Sequence, residues 1–441
     1  MKKTATIPWQ PLSEKHKAYI LRGMNARMCV AEGAIRSGKT IDHCIMAAAY
    51  LETCPDKIHL ASGSTIANAK LNIGVCNGFG LENLFRGRYR WGKYKENQAL
   101  FLATQTGEKI VVFTGGKNSD SYKRILGNSY GLWIATEINE HYDSDDSRES
   151  FVKVANGRQL AAVRPYTLWD MNPCSPRHPI YTEYIDKYRD NGMKGYVYEH
   201  FTIRDNLSIS AERQAEITAQ YDPKTVWYRR DILGERCTAE GLVYPSFADT
   251  PEEFIIDAPP PAIQYANIGV DFGGTKSGHA FTLTGFTPGY REVVTLDDYY
   301  HDNGKDGCFN PDQLNAAFID FVRRAQQKYR VAIARCDSAE QTLIAGLRSA
   351  VKKAGVPIGI ENAIKGPIND RIAFYNSLMA QGRYKIMRHC KATIEALQTA
   401  IYDAERLDDV RLDDGTTNID SLDSMEYSTE VEQPSIMYIR R

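Results

Sequence analysis

The chain has 441 residues, with 54 Lys and Arg against 55 Asp and Glu, and a formal net charge of -1. It is therefore no polycation that grips nucleic acid by bulk charge, and any such binding must be local. Hydrophobic residues make up 43% and charged residues 25%, with 33 Gly and 18 Pro showing no repeat bias, which excludes a wholly disordered or collagen-like chain and leaves room for about two or three domains. In chain order, Met1, Lys2 and Lys3 are followed by Pro8, Trp9, Gln10 and Pro11 where a secretory leader would carry its apolar core, so no leader is expected. No apolar run approaches the ~20 residues of a membrane-spanning helix. The 9 cysteines are odd in number and scattered, without a C-x-x-C pair, so they propose neither a disulfide framework nor a zinc site and suit a reducing cytosol.

Met28 to Ala31 reads as a strand and Ile41 to Leu51 as a helix, and between them Gly33-Ala34-Ile35-Arg36-Ser37-Gly38-Lys39-Thr40 matches G-x-x-x-x-G-K-[ST]. This strand, glycine loop and helix form the context that the phosphate-binding motif requires. Its glycines let backbone N–H groups and the helix N-terminus face phosphates, Lys39 neutralises the β/γ charge, and the Thr40 hydroxyl can ligand Mg²⁺. ATP and Mg²⁺ are the expected ligands. A further strand is expected at Ile58 to Ala61. Arg86-Gly87-Arg88-Tyr89-Arg90-Trp91-Gly92-Lys93-Tyr94-Lys95 then interleaves basic and aromatic residues; the pattern suits a nucleic-acid backbone and equally an amphipathic hairpin with its aromatic side packed.

Strand-like runs follow at Ile110 to Phe113 and at Leu132 to Ala135, the latter leading into Thr136 and Glu137. Glu137 stands where an acid orients the water that attacks a γ-phosphate, while Thr136 stands where an Asp ordinarily holds Mg²⁺ through water. Tyr166 to Met171 ends in Asp170-Met171-Asn172-Pro173, whose Asn172 is placed to sense the γ-phosphate. Arg36, acting within the subunit, and Arg158 or Arg164, reaching a neighbour, are candidates to stabilise transition-state charge. Strands alternating with helices predict an α/β domain with a mainly parallel sheet.

The triple proline Pro259-Pro260-Pro261 lacks backbone donors and favours an extended connection. It places the domain seam, giving an ATPase domain over 1–206, a linking segment over 207–261 and a second domain over 262–441. There, strands at Tyr265 to Asp271, Ala280 to Gly285, Glu292 to Tyr299 and Val331 to Cys336 predict a mixed sheet. Asp271 and Asp337 close two of them. Ile419, Leu422 and Met425 are spaced as one face of a helix, which also carries Asp420 and Asp423 on a shared face. Asp271 and Asp337 with an acid from that helix could hold two Mg²⁺ or Mn²⁺ ions roughly 3.5 to 4 Å apart and hydrolyse a phosphodiester. Lys365 is either near this cluster or on the surface. Otherwise the acidic run from Asp403 to Glu432 reads as a solvated face. No internal repeat is present.

Taken together, the chain resembles the large subunit of a tailed-phage terminase. The resemblance is carried by Glu32 to Thr40, Gly131 to Glu137, Asp170 to Pro173, Arg204-Asp205-Asn206, Ile232-Leu233-Gly234-Glu235, Gly241-Leu242-Val243-Tyr244, the strand-end acids, and Asp423-Ser424-Met425-Glu426-Tyr427. It implies a P-loop (RecA/ASCE-like) ATPase domain followed by a ribonuclease H-like nuclease domain. In those roles Gly33, Arg36, Ser37, Gly38, Lys39 and Thr40 take nucleotide and Mg²⁺, Glu137 is the catalytic glutamate and Asn172 couples. Asp271, Asp337 and Asp423 are the nuclease ligands, with Asp420 competing as third. It further implies double-stranded DNA, a small terminase subunit and the procapsid portal as partners, a homo-oligomeric ring, and work in the host bacterial cytoplasm, docked transiently on the procapsid. Two departures stand out: Thr136 in place of the usual Asp, and Glu426 in place of the commoner Arg. Two other functions fit fewer features. A helicase-nuclease of DNA repair ordinarily carries a second motor domain, and no second phosphate loop follows Pro261. A nucleotide-dependent assembly switch with little hydrolysis is kept open by Thr136.

Overall fold

The computed structural model describes residues 12–144, 146–274, 277–404, 406, 409–414 and 417–437. Met1 to Pro11, on which the leader reading turned, lie outside the described residues, as do parts of the acidic run between 405 and 416. No helix among the described residues is long and apolar enough to cross a membrane. The nine cysteines are free thiols.

The chain divides into two compact units, 1–215 with 229–238, and 216–228 with 239–441. Both are α/β and each is built on one mixed sheet. In the first unit, helix α1 (Glu14–Gly23) precedes β1 (Met28–Gly33), helix α2 (Lys39–Thr53) and strands β2 (Ile58–Gly63), β3 (Tyr89–Tyr94), β4 (Asn97–Thr104), β5 (Gly107–Gly115), β6 (Leu132–Ala135), β7 (Tyr166–Met171) and β8 (Tyr196–Phe201). Their order is β3-β4-β5-β2-β6-β7-β1-β8. The six strands from β5 to β8 run parallel, and β3 and β4 extend that sheet antiparallel at one edge.

β1, β6 and β7 are buried at every position, as expected where helices cover both faces of a parallel sheet. Alternation along the strands feeds two separate cores. Cys29, Ala31, Ile134 and Leu168 pack with Met46 and Leu51 of α2 on one face, and Val30, Trp133, Trp169 and Met171 pack with Phe151 and Tyr181 on the other.

The second sheet has the order β14-β13-β10-β11-β12-β15-β9. Its strands are β9 (Ile255–Ile256), β10 (Tyr265–Asp271), β11 (Gly278–Phe286), β12 (Val293–Asp302), β13 (Val331–Cys336), β14 (Gly359–Asn362) and β15 (Tyr384–Met387). The central β10-β11-β12 meander is antiparallel, and parallel pairs flank it on both sides. Helices α3 (Pro311–Gln326) and α4 (Gln341–Lys353) cover one face through Phe318, Phe321, Ile344 and Leu347. Helices α5 (Ile368–Ala380) and α6 (Ile419–Tyr427) contribute Tyr375, Leu378, Leu422 and Met425 to the other core.

The proline run falls between β9 and β10, two strands of one sheet. It is therefore a connection inside the second unit and not the seam expected at 257–261, and residues 239–261 fold with that unit. Missing backbone donors exclude the segment from a ladder wherever it sits, which is why composition cannot tell the two situations apart.

α6 lies directly on β10. A Cβ at Gly269 would stand 1.7 Å from the Ser424 carbonyl oxygen, and Thr282 Oγ1 and Ser424 Oγ are 2.6 Å apart. The clash is with backbone, so Gly269→Ala is expected to displace α6 and cost about 1 to 3 kcal/mol, the usual range for overpacking. Urea denaturation measures this as a lower midpoint; an unchanged midpoint would mean that the helix does not depend on this close approach.

Candidate active sites

The phosphate-loop motif sits at the carboxyl end of β1. Gly33 has φ 149°, and a Cβ there would meet the Phe201 carbonyl oxygen at 1.8 Å. Gly38, at φ 97°, caps the start of α2; only glycine adopts such angles without strain. The loop is pinned from outside: Ala34 N–H donates to Phe201 O at 2.8 Å and Ile35 N–H to Asp231 O at 3.0 Å. Ser37 is fully buried and Arg36 is exposed. Asn206 Nδ2 donates to the Arg36 carbonyl at 2.6 Å. The Lys39 ammonium donates to Gly33 O at 2.9 Å, Ala34 O at 2.7 Å, Ser37 Oγ at 3.2 Å and Asn172 Oδ1 at 3.2 Å. Burial pushes its pKa down to about 8, against the pull of Asp170, Glu32, Asp231 and Glu137. A phosphate group would offset that penalty by adding negative charge.

Sheet order brings the other residues here. β7 lies between β6 and β1, so the carboxyl ends of the three strands carry Glu137, then Asp170 and Asn172, then the loop. Open parallel sheets bind ligands at such an edge. Glu137 has φ 54°, and its Oε2 accepts from Asn68 Nδ2 at 2.9 Å. Asn72 Nδ2 donates in turn to Asn68 Oδ1 at 3.1 Å and to Thr136 Oγ1 at 3.4 Å. Asp170, 3% exposed, accepts from Thr136 Oγ1 at 3.0 Å and from the Glu137 N–H at 3.2 Å. Asn68, Asn72 and the partnering of Asp170 were not legible in the sequence, since nothing local marks two asparagines on the segment after β2 as neighbours of Glu137.

Of the arginine candidates, Arg164 is exposed and bonds to α2. Its guanidinium donates to Tyr50 O and Thr53 Oγ1 at 3.3 and 2.9 Å and lies 4.7 Å over the Tyr50 ring, at the end of α2 opposite the phosphate loop. Arg158 closes the helix Phe151–Gly157, with its charge near Tyr130. The basic and aromatic strip contains the edge strand β3. Arg88 pairs with Glu52 at 2.8 Å, and Arg90 pairs with Glu108 at 3.4 Å while stacking 3.8 Å over Phe101. Trp91 packs against Phe113 and donates to Glu82 at 2.6 Å. The strip thus forms a hairpin with Trp91 packed, while Arg88, Tyr89 and Arg90 remain exposed.

In the second unit, β10 and β13 are parallel neighbours with Val270 opposite Cys336, so Asp271 and Asp337 emerge side by side, and Asp337 N–H donates to Val270 O at 2.9 Å. Alternation puts Asp271 on the same face as Gly269, beneath α6. The apolar spacing predicted that helix, and it spans Ile419–Tyr427, with Asn418 capping it through Ser421 N–H at 3.0 Å. Asp271 is held well above the ordinary carboxylate range by burial and by the charges of Asp423, Asp420 and Asp337, with Lys365 acting in the other direction.

Positive groups already balance the cluster. Lys365 Nζ donates to Asp337 Oδ1 at 2.7 Å, placing this lysine at the site. Asp423 Oδ1 accepts from Arg371 at 2.9 Å and from Arg411 at 2.7 Å. Asp420 Oδ2 instead accepts from Gly278 N–H at 2.6 Å and Tyr300 OH at 3.4 Å.

The departure at Glu426 is also accounted for. Glu426 is fully buried, with Arg411 at 2.6 Å, Arg371 at 2.9 Å and Tyr244 OH at 3.0 Å. This part of the acidic run is therefore packed and paired, contrary to the expectation of a solvated face, and removing either side would leave an uncompensated buried charge. Glu430 is a further residue that the sequence did not announce. Its carboxylate accepts from three successive backbone N–H groups, Ile364, Lys365 and Gly366, at 3.0, 3.2 and 3.1 Å, and so shapes the turn that carries Lys365.

The donor set is all carboxylate oxygen, the chemistry preferred by Mg²⁺ and Mn²⁺. Mutual repulsion at a buried Asp271 is what a divalent cation would relieve. As they stand, no three His, Cys, Asp or Glu side chains among the described residues are grouped closely enough to form a metal-holding set; the arginines and Lys365 supply the positive charge.

No family model and no curated protein matches this sequence. The architecture is similar to that of solved phage large terminases. The chain is similar to the large terminase from a thermophilic bacteriophage, with a TM-score of 0.77 at 23% identity over 96% of this chain and 100% of that one. The same phage protein in complex with ADP gives 0.74 at 21% identity over 95% and 99% of the two chains. Its complex with ATP-gamma-S gives 0.72 at 21% over the same shares. The likeness is one of fold, and it extends through both units.

Proposed function

We propose that the chain is the large subunit of a tailed-phage terminase, an ATP-driven motor that moves double-stranded DNA into a procapsid and a metal-dependent endonuclease that cuts concatemeric DNA. One observation carries the reading: a chain alike in fold to the thermophilic phage's large terminase from end to end has a phosphate loop beside a strand-end glutamate in one unit and converging strand-end carboxylates in the other. In this reading the first unit is a P-loop ATPase of the RecA/ASCE type. Gly33, Arg36, Ser37, Gly38, Lys39 and Thr40 hold the nucleotide phosphates, and Thr40 faces Mg²⁺. Glu137 orients the attacking water, and Asn172, already bonded to Lys39, reports the γ-phosphate to the rest of the unit. The second unit is a ribonuclease H-like nuclease in which Asp271, Asp337 and Asp423 hold two Mg²⁺ or Mn²⁺ ions. Those ions would activate water and neutralise the leaving oxygen of the phosphodiester.

The small terminase subunit and the procapsid portal are the proposed partners, with the chain acting as a homo-oligomeric ring in the host bacterial cytoplasm. The test uses the purified full chain with plasmid DNA and Mn²⁺ or Mg²⁺, and separately with ATP. Cutting and ATP turnover are both expected; a chain that does neither, alone or with added DNA, would defeat the proposal. Within the nuclease site, Asp423→Ala is expected to abolish cutting and Asp420→Ala only to weaken it, because the charge of Asp423 bears more strongly on Asp271. The reverse order in a plasmid-nicking assay would reassign the third ligand.

A further inference from the structure

Thr136 occupies the position after β6 at which an Asp would hold the Mg²⁺ hydration shell, and the sequence alone leaves the ATP site one carboxylate short. The sheet supplies one from the next strand. β6 and β7 are parallel with Ala135 opposite Trp169, so the following residues, Thr136 and Asp170, stand opposite each other at the carboxyl edge. Asp170 Oδ1 takes the Thr136 hydroxyl at 3.0 Å and the Glu137 N–H at 3.2 Å, and the Thr40 hydroxyl of the phosphate loop also faces this carboxylate. The second oxygen, Oδ2, is buried and has no hydrogen-bond partner among the described residues. The imidazole of His43 is 3.9 Å from it, beyond hydrogen-bond distance, and His43 Nε2 is already engaged with Tyr19 OH at 2.8 Å. A buried carboxylate oxygen without a donor is costly, and the carboxylate that bears it is acted on by the Lys39 charge and the Thr40 and Thr136 hydroxyls.

We infer that Asp170 is the carboxylate of the Mg²⁺ shell in the ATP site, moved one strand along the sheet from its usual place and positioned by Thr136, which donates a hydrogen bond where the acid would otherwise stand. The inference rests on the proposed ATP site. It explains how Thr136 can replace an acid without leaving the centre short of negative charge. It also assigns the Thr136 hydroxyl a role of its own, to hold the Asp170 carboxylate at the end of β7 through Oδ1.

The test measures binding of ATP-gamma-S to the full chain, with EDTA and with Mg²⁺, independently of turnover. Wild type is expected to bind at least about tenfold more tightly with Mg²⁺, a difference of about 1.4 kcal/mol. Asp170→Asn is expected to bind equally in the two conditions, at the affinity of wild type in EDTA. The exchange Thr136→Asp with Asp170→Thr is expected to restore most of the Mg²⁺ effect, whereas Asp170→Thr alone does not. Full Mg²⁺ tightening in Asp170→Asn would overturn the inference. If that variant does not fold, the exchange decides: recovery of tightening supports the assignment, and an exchange chain that shows none, or does not fold, overturns it. Failure of wild type to bind the nucleotide in either condition would instead remove the ATP site itself, and so separates the two readings.

Discussion

Asp271→Asn is expected to abolish plasmid cutting in Mn²⁺ or Mg²⁺ while ATP hydrolysis continues at the wild-type rate. The substitution is close to isosteric and removes a negative charge from the most buried of the clustered acids, 7% exposed, so packing of β10 under α6 is retained. Metal-ion stabilisation of a phosphodiester transition state is worth several kcal/mol, and each 1.36 kcal/mol is tenfold in rate; a loss of about 10³-fold or more follows. Hydrolysis of ATP is spared because none of its proposed groups lies in the second sheet. Undiminished cutting by the variant would remove the nuclease assignment, and a parallel loss of both activities would show that the substitution acts on folding instead.

Glu137→Gln should suppress ATP turnover by about 10² to 10⁴-fold, the range for loss of a positioned acid-base group, with nucleotide binding retained. Gln keeps an oxygen to accept the Asn68 bond that now holds Glu137 Oε2 at 2.9 Å, so the strand end is not disturbed. In the proposed site the phosphates are held by Lys39 and the loop, which the change does not touch. Turnover and binding measured on the same preparation separate the two effects. Unchanged turnover would move the water-positioning role to another residue. A wild-type chain that binds nucleotide and hydrolyses none would favour the assembly switch that Thr136 leaves open.

The strands that organise both sites were readable because most of their residues are buried. β1, β6, β7, β10 and β13 are short apolar runs, and each ends in the residue that its site uses or runs directly into it. β8 was not anticipated: Tyr196–Phe201 carries Glu199 and His200 and is only partly buried along most of its length, so neither alternation nor an unbroken apolar run marks it. β9, β14 and β15, of two, four and four residues, are too short for a periodic pattern to register. The basic strip, equally suited to nucleic acid or to a hairpin on sequence grounds, is answered by Glu52 and Glu108, acids outside the strip that the hairpin and the sheet bring alongside.

The sequence by itself determined the elements whose chemistry is local: the phosphate loop with its glycines, the acid after β6, the acids closing β10 and β13, and the helix that bears Asp420 and Asp423. Each is set by the backbone conformation of a few consecutive residues, which composition and spacing report. Only the tertiary structure decided which side chains answer one another. Register between β6 and β7 set Asp170 opposite Thr136, the packing of α5 and α6 set Arg371 against Asp423 and Glu426, and pairing of β9 with β15 placed the proline run within a unit instead of between two. These relations depend on strand order and register among distant segments, and no short stretch of sequence encodes them.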